Sequence, residues 1–115
     1  MRVMIVRIWH GWTTPDNADA YENLLNTTIV PGIMAKRIPG LEGLDILRRT
    51  DGDAGEVEFI TAMTFDNWAA VEAFAGESRT GSVVPPAARE VLKRFDEHSQ
   101  HYVVAAHHDR VESVG

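Results

Sequence analysis

The order in which strand-like and helix-like segments succeed one another restricts this chain more than any single motif does. Val3–Trp12 is rich in β-branched and aromatic residues, with Ile5, Arg7 and Trp9 on one face of a strand and Val6, Ile8 and His10 on the other. Thr14-Pro15-Asp16-Asn17 then has the makings of a helix start: a capping residue, a proline pre-set for the first turn and an acid where the helix dipole favours one. Tyr21, Leu24, Leu25, Thr28 and Ile29 recur at helical spacing, and Pro31-Gly32 is expected to break the helix before Ile33–Arg37 resumes it. Pro39-Gly40 closes that segment. Leu44–Arg49 and Val57–Phe65 read as two strands, joined antiparallel through the turn residues Thr50–Gly55. Asp66 is expected to cap a short helix carrying Trp68, Val71, Phe74 and Ala75, while Gly76–Val84 shows no periodicity. Pro85-Pro86 opens a third helix with a stripe of Ala88, Val91, Leu92 and Phe95, and His101–Ala105 completes the pattern as a last strand. The sum is βαββαβ, an α+β ferredoxin-like unit: a four-stranded antiparallel sheet with helices on one face.

Such a unit leaves the other sheet face bare, and here that face carries Val6, Ile8, Ile60 and Ala62. A strand apolar on both sides is one covered on both sides. The economical cover is a second copy packed sheet to sheet about a two-fold axis, so a homodimer through the sheet face is expected. At 115 residues the chain is sized for one domain, taken as residues 1–105 with a tail at 106–115 that is able to reach towards a partner.

Composition narrows the function classes. Seventeen acidic residues against 11 Lys and Arg give a net charge of −6, and the basic residues cluster only as pairs (Lys36-Arg37, Arg48-Arg49), which argues against a nucleic-acid partner. The absence of cysteine removes disulfides, thiolate-ligated metals, iron–sulfur clusters and thiol catalysis, and suits a reducing cytoplasm. Arg7 interrupts the first apolar run too early for a signal-peptide core, and no stretch nears the roughly 18 apolar residues of a membrane span. A cytoplasmic protein with no membrane partner is expected. No glycine-rich phosphate loop or dinucleotide motif occurs, because Pro39-Gly-Leu-Glu-Gly43 leads from helix to strand and not the reverse; no cofactor is called for.

Several segments in this order together resemble the antibiotic biosynthesis monooxygenase domain family: Trp9-His-Gly-Trp12 closing strand one, Pro15-Asp-Asn-Ala-Asp-Ala-Tyr21, Pro39-Gly-Leu-Glu-Gly43, and Glu58-Phe-Ile-Thr-Ala-Met-Thr-Phe65 followed by Trp68 and Phe74-Ala-Gly76. The resemblance spans about residues 3–105. It implies a dimeric α+β barrel whose subunits each hold a pocket between helices and sheet, and an activity among cofactor-free oxygenases of quinol-like or anthrone-like molecules or among haem-degrading enzymes. The haem-degrading branch uses an Asn on strand one, a Trp closing strand three and a His on the second helix. This chain has Trp9 and Phe65 at the first two places and no histidine between His10 and His98, which disfavours that branch.

Oxidation without a cofactor requires a base to ionise an activated phenol or carbon acid, a stabiliser for the resulting anion, and a flat apolar slot. On this reading Arg7, Trp9 and His101 are the candidate catalytic residues, and Phe59, Met63, Phe65, Trp68 and Phe74 the candidate substrate-binding ones. Each has a plainer alternative: the aromatics as core, Arg7 as the partner of Glu58 or another acid. His10, the other strand histidine, falls on the expected dimer face. His98 with His101, and His107-His108-Asp109, have too little shared geometry for a metal site, and none is assigned. The alternative to an oxygenase is a non-catalytic barrel of the same fold that binds a small hydrophobic ligand or serves a structural or stress-related role. An open pocket on which Arg7 and a histidine converge separates the two.

Overall fold

The computed structural model describes residues 3–52 and 54–111. Residues 1, 2 and 112–115 of the expected domain and tail, and Asp53 of the hairpin loop, lie outside them. The central strand is β1 (Ile5–Thr13), followed by a single turn of 3-10 helix (Pro15–Asn17), α1 (Ala18–Leu24), a π-helical turn (Leu25–Ile29), α2 (Val30–Ala35), β2 (Leu41–Arg48) and β3 (Val57–Phe65). Next come α3 (Trp68–Ala75), α4 (Pro86–Val91), β4 (Arg94–Phe95) and β5 (Gln100–Val103). The antiparallel sheet runs β2-β3-β1-β4, with β5 also pairing on β1. β1 and β3 match along their whole length, from Ile5 opposite Phe65 to Thr13 opposite Val57.

The ferredoxin-like α+β architecture stands as expected, with differences that trace to single residues. Pro31-Gly32 does not break the first helix. The Val30 N–H reaches back five residues to the Leu25 carbonyl, and this wider turn lets Pro31 enter α2 in its first turn, where its missing donor does no harm. The same widening turns Thr28, expected on the buried stripe, out to solvent. The cap of α3 is Asn67 rather than Asp66: the Asn67 side chain accepts the Ala70 N–H at 2.8 Å.

The third helix is shorter than its apolar stripe. Leu92 leaves the helix (φ −84°, ψ 136°), and Phe95 instead pairs with Gly11 in β4, giving a five-stranded sheet in place of four. The free edge of β1 decides this. Lys93 N–H bonds to the Trp12 carbonyl at 2.7 Å and Asp96 N–H to the His10 carbonyl at 2.9 Å, backbone groups that a longer helix would leave without sheet partners. The last strand, Gln100–Val103, starts and ends earlier than His101–Ala105, and residues 106–111 of the tail are exposed and without regular structure.

The helices cover one sheet face in two packed groups. Tyr21, Leu25 and Ala88 close over Phe59, and Ala70 and Val71 close over Ile5, Met63 and Phe65. On the opposite face Val6, Ile8, Ile60 and Ala62 are half-buried, while Leu47 and Tyr102 are 50% and 57% exposed. Their register draws these six side chains together, since Leu47 pairs with Ile60, Ala62 with Ile8 and Val6 with Tyr102. Among the described residues no helix is long and apolar enough to cross a membrane.

Candidate functional site

Between the two packed groups the helix-covered side of the sheet is not filled. A narrow cleft with about 50 Å³ of open space lies there, walled by Leu25, Ile29, Ile33, Met63 and Phe74 and carrying Arg7, Trp9, Thr61 and Ser99. The apolar lining with a few polar groups is that of a small-molecule site. Tyr21 also lines it; burial pushes its phenol pKa up, so it offers no phenolate.

Arg7 is charged, 3% exposed and set on the central strand. Its Nη1 donates to the Arg79 carbonyl and, at 3.2 Å, to His101 Nε2; Nη2 donates to the Gly81 carbonyl at 2.9 Å. Glu58, the expected counter-ion, sits beside Arg49 at 3.7 Å instead. Among the described residues all three acceptors of Arg7 are neutral. Burial without a carboxylate lowers its pKa to about 10, still well above neutrality, so the site holds a desolvated positive charge. The Phe74 ring lies 5.4 Å from the Arg7 guanidinium carbon, on the side of the cleft.

The segment after α3, without periodicity in the sequence, is what receives Arg7. Arg79 has a left-handed backbone (φ 65°), uncommon for a residue with a Cβ, and it is pinned at both ends. Its guanidinium grips Glu72 at 2.7 and 2.9 Å and lies 4.7 Å over the Trp68 ring, while its carbonyl faces Arg7.

Trp9 supplies a flat wall, and its indole N–H is already engaged, donating to Ser82 Oγ at 3.1 Å and to the Asp96 carbonyl at 3.0 Å. Gly11 permits that pose: a Cβ there would lie 2.8 Å from the Trp9 ring. Phe95 packs against the indole at 6.1 Å between centroids.

The expected site residues therefore separate. Arg7, Trp9, Met63 and Phe74 line the cleft together. Phe59 and Phe65 share their face of the sheet but are 1% and 0% exposed within the packed groups, away from the lining. Trp68 lies tilted against His101 at 5.6 Å between centroids and under Arg79, outside the cleft lining. His101 touches the cleft only through Arg7. Burial first, then the charges of Arg7 and Arg79, lower its pKa, so it is neutral near pH 7 and presents its Nε2 lone pair to Arg7. His98 points elsewhere, bridging to Gly81 and lying 3.4 Å from Thr80 Oγ1, and His107 pairs with Asp109 on the surface. His10, on the opposite face as expected, meets Asp96 at 2.7 Å.

Ser99 was not anticipated as a cleft residue. Ser99 precedes both the expected strand and the observed β5, so its only sequence signal is a spacing of two residues from His101, which pairs with Arg7.

Solved structures of other proteins share this architecture. A Bacillus cereus protein proposed to be an antibiotic biosynthesis monooxygenase superposes with a TM-score of 0.59 over 96% of this chain and 100% of its own, at 13% identity. The fold is antibiotic biosynthesis monooxygenase-like. Rv0793 of Mycobacterium tuberculosis superposes with a TM-score of 0.52 over 94% of this chain and 99% of its own, at 19% identity. No family model matches the sequence, and no curated protein does. The monooxygenase-like likeness is thus one of backbone course, carried by the βαββαβ order and not by close sequence kinship.

Proposed function

We propose that this protein is a homodimeric, cofactor-independent monooxygenase that oxidises an aromatic or polycyclic quinol-like molecule with O2 in the helix–sheet cleft. The observation that carries the reading is a buried guanidinium, Arg7, with only neutral partners among the described residues, at the side of an apolar slot walled by Trp9 and Phe74. Such a charge lowers the pKa of a phenol or enol bound beside it, by stabilising the anion in a medium of low dielectric. The anion is the reactive species. It passes one electron to O2, the radical pair closes to a peroxide on carbon, and loss of water leaves a carbonyl; CH2 and O2 become C=O and H2O, with one oxygen atom retained in the product. Neutral His101 holds Arg7 in place for this, and the proton released on ionisation passes to solvent at the mouth of the cleft. The half-buried outer face seats the second subunit, whose packing covers Val6, Ile8, Ile60 and Ala62.

A second reading draws on the same geometry. Trp9 N–H and His101 Nε2 are both engaged by protein groups, as in a barrel that holds a hydrophobic ligand without transforming it. Oxygen uptake by purified protein against a panel of anthrones and hydroquinones separates the two. Uptake above the uncatalysed rate that saturates with substrate and collapses in Arg7→Ala or Trp9→Ala supports the oxygenase; uptake no faster than background across the panel leaves the binding module.

A further inference from the structure

The cleft contains a polar group with nothing to bond to. Ser99 is 3% exposed, lines the cleft, and among the described residues its Oγ has no hydrogen-bond partner. Leaving a hydroxyl buried and unpaired is costly, and native interiors rarely tolerate it without a reason. The residue has not simply drifted into place: its N–H is anchored to the Thr80 carbonyl at 2.7 Å, in the same segment that receives Arg7.

Two unfulfilled demands thus meet in one apolar slot: a hydroxyl wanting a partner, and a buried guanidinium whose charge no carboxylate offsets among the described residues. A neutral hydrocarbon answers neither. A single oxygen bearing negative charge answers both, by accepting the Ser99 O–H and lying in the field of Arg7. We propose that Ser99 is the specificity-determining hydroxyl of this cleft, and that the ligand class it selects is a planar aromatic body carrying one oxyanion, whether carboxylate, phenolate or enolate. Trp9 and Phe74 contact the ring system while Ser99 Oγ donates to the oxyanion. The aromatic body rests on the function proposed above, whereas the oxyanion preference rests on Ser99 and Arg7 alone.

Equilibrium binding tests this without any turnover. The probes are 2-naphthoate and its neutral isostere 2-naphthamide, with 4-nitrophenolate and 4-nitroanisole as the phenolate pair, titrated calorimetrically into wild type, Ser99→Ala and Thr13→Val. Thr13 is the control, a second fully buried hydroxyl without a partner that does not line the cleft. Wild type is expected to bind at least one anion about tenfold or more tightly than its neutral isostere, and Ser99→Ala to lose most of that ratio. Which pair shows the ratio distinguishes carboxylate from phenolate. Thermal melts provide the second readout: Ser99→Ala raises the melting temperature by about 4 °C, because the empty site is relieved of an unpaired hydroxyl, and Thr13→Val does so with anion binding unchanged. Equal binding of charged and neutral probes, an unchanged ratio in folded Ser99→Ala, or no binding by any probe overturns the proposal. Anion-selective binding without oxygen uptake leaves it standing and removes the oxygenase reading.

Discussion

Arg7 and His101 face each other across β1 and β5, register partners whose side chains meet with Nη1 donating to Nε2 at 3.2 Å. The contact is favourable only while the imidazole is neutral. Burial disfavours the charged ring, and protonation also removes the lone pair and sets cations together at Arg7 and Arg79, so the folded state holds the His101 pKa below its ordinary value of 6.5. The unfolded chain therefore takes up this proton at a higher pH than the folded one. Stability from this pair is complete above the unfolded value and is lost as pH falls from about 6.5 towards the lower folded value. Urea unfolding followed across acid pH is expected to show this decline. His101→Gln, which keeps an acceptor for Arg7 but cannot titrate, flattens that part of the profile; an unaltered profile in the variant assigns the acid sensitivity elsewhere.

The two roles open to Trp9, wall and hydrogen-bond donor, come apart in a pair of substitutions. In Trp9→Phe, Ser82 Oγ still donates to the Asp96 carbonyl, so no acceptor is orphaned and the loss is near 1 kcal/mol, with ligand binding largely kept. Trp9→Ala removes the wall itself and costs about 3–5 kcal/mol along with binding. Chemical denaturation beside ligand titration decides it, and abolished binding in well-folded Trp9→Phe would place the indole N–H, not the ring, at the centre of recognition.

Gly40 links α2 to β2 and lies beside the end of β3. Its φ of 93° lies in the region that residues with a Cβ avoid, and an added Cβ would meet the Asp66 carboxylate, with Ala70 Cβ and Asn67 Nδ2 both at 2.9 Å. Its carbonyl also accepts the Asp66 N–H at 2.8 Å. Gly40→Ala is expected to destabilise by about 2–4 kcal/mol through backbone strain and displacement of the Asn67 cap. Gly43→Ala, whose Cβ meets nothing within 4 Å, serves as the tolerated comparison in the same thermal melts.

The outer sheet face leads to an assembly prediction. Ile8 sits at its middle, opposite Ala62 and between the strand neighbours Val6 and His10. A charge there has no partner inside a sheet-to-sheet interface, so Ile8→Glu is expected to convert a dimer into a monomer that remains folded, since the helix-covered face is untouched. Sedimentation velocity reads the result, and a monomeric wild type would be enough to discard the two-fold assembly.

Chain pattern alone determined the strand and helix order apart from β4, the span of β3, the covered and uncovered faces of the sheet, and the convergence of Arg7 and Trp9 on one side of it. Alternation and helical spacing are local properties, and the burial of a face follows from them directly. It missed what depends on partners distant along the chain. Phe95 carries a helical stripe with Ala88, Val91 and Leu92 yet lies in a strand, because the open edge of β1 offers backbone hydrogen bonds that periodicity does not register. Pro31 reads as a helix break and is not one, because a single wider turn re-spaces the carbonyls around it.

The candidate site divides in the same way. Which residues face the cleft side of β1 was legible; which of their polar atoms are already engaged was decided by tertiary structure. Residues 79–82, silent in the sequence, take the donors of Arg7 and, through Ser82, of Trp9, and they fix Ser99 behind them. A side chain's type tells what bond it is able to make, but only the folded neighbourhood determines whether that bond goes to the protein or is left for a ligand.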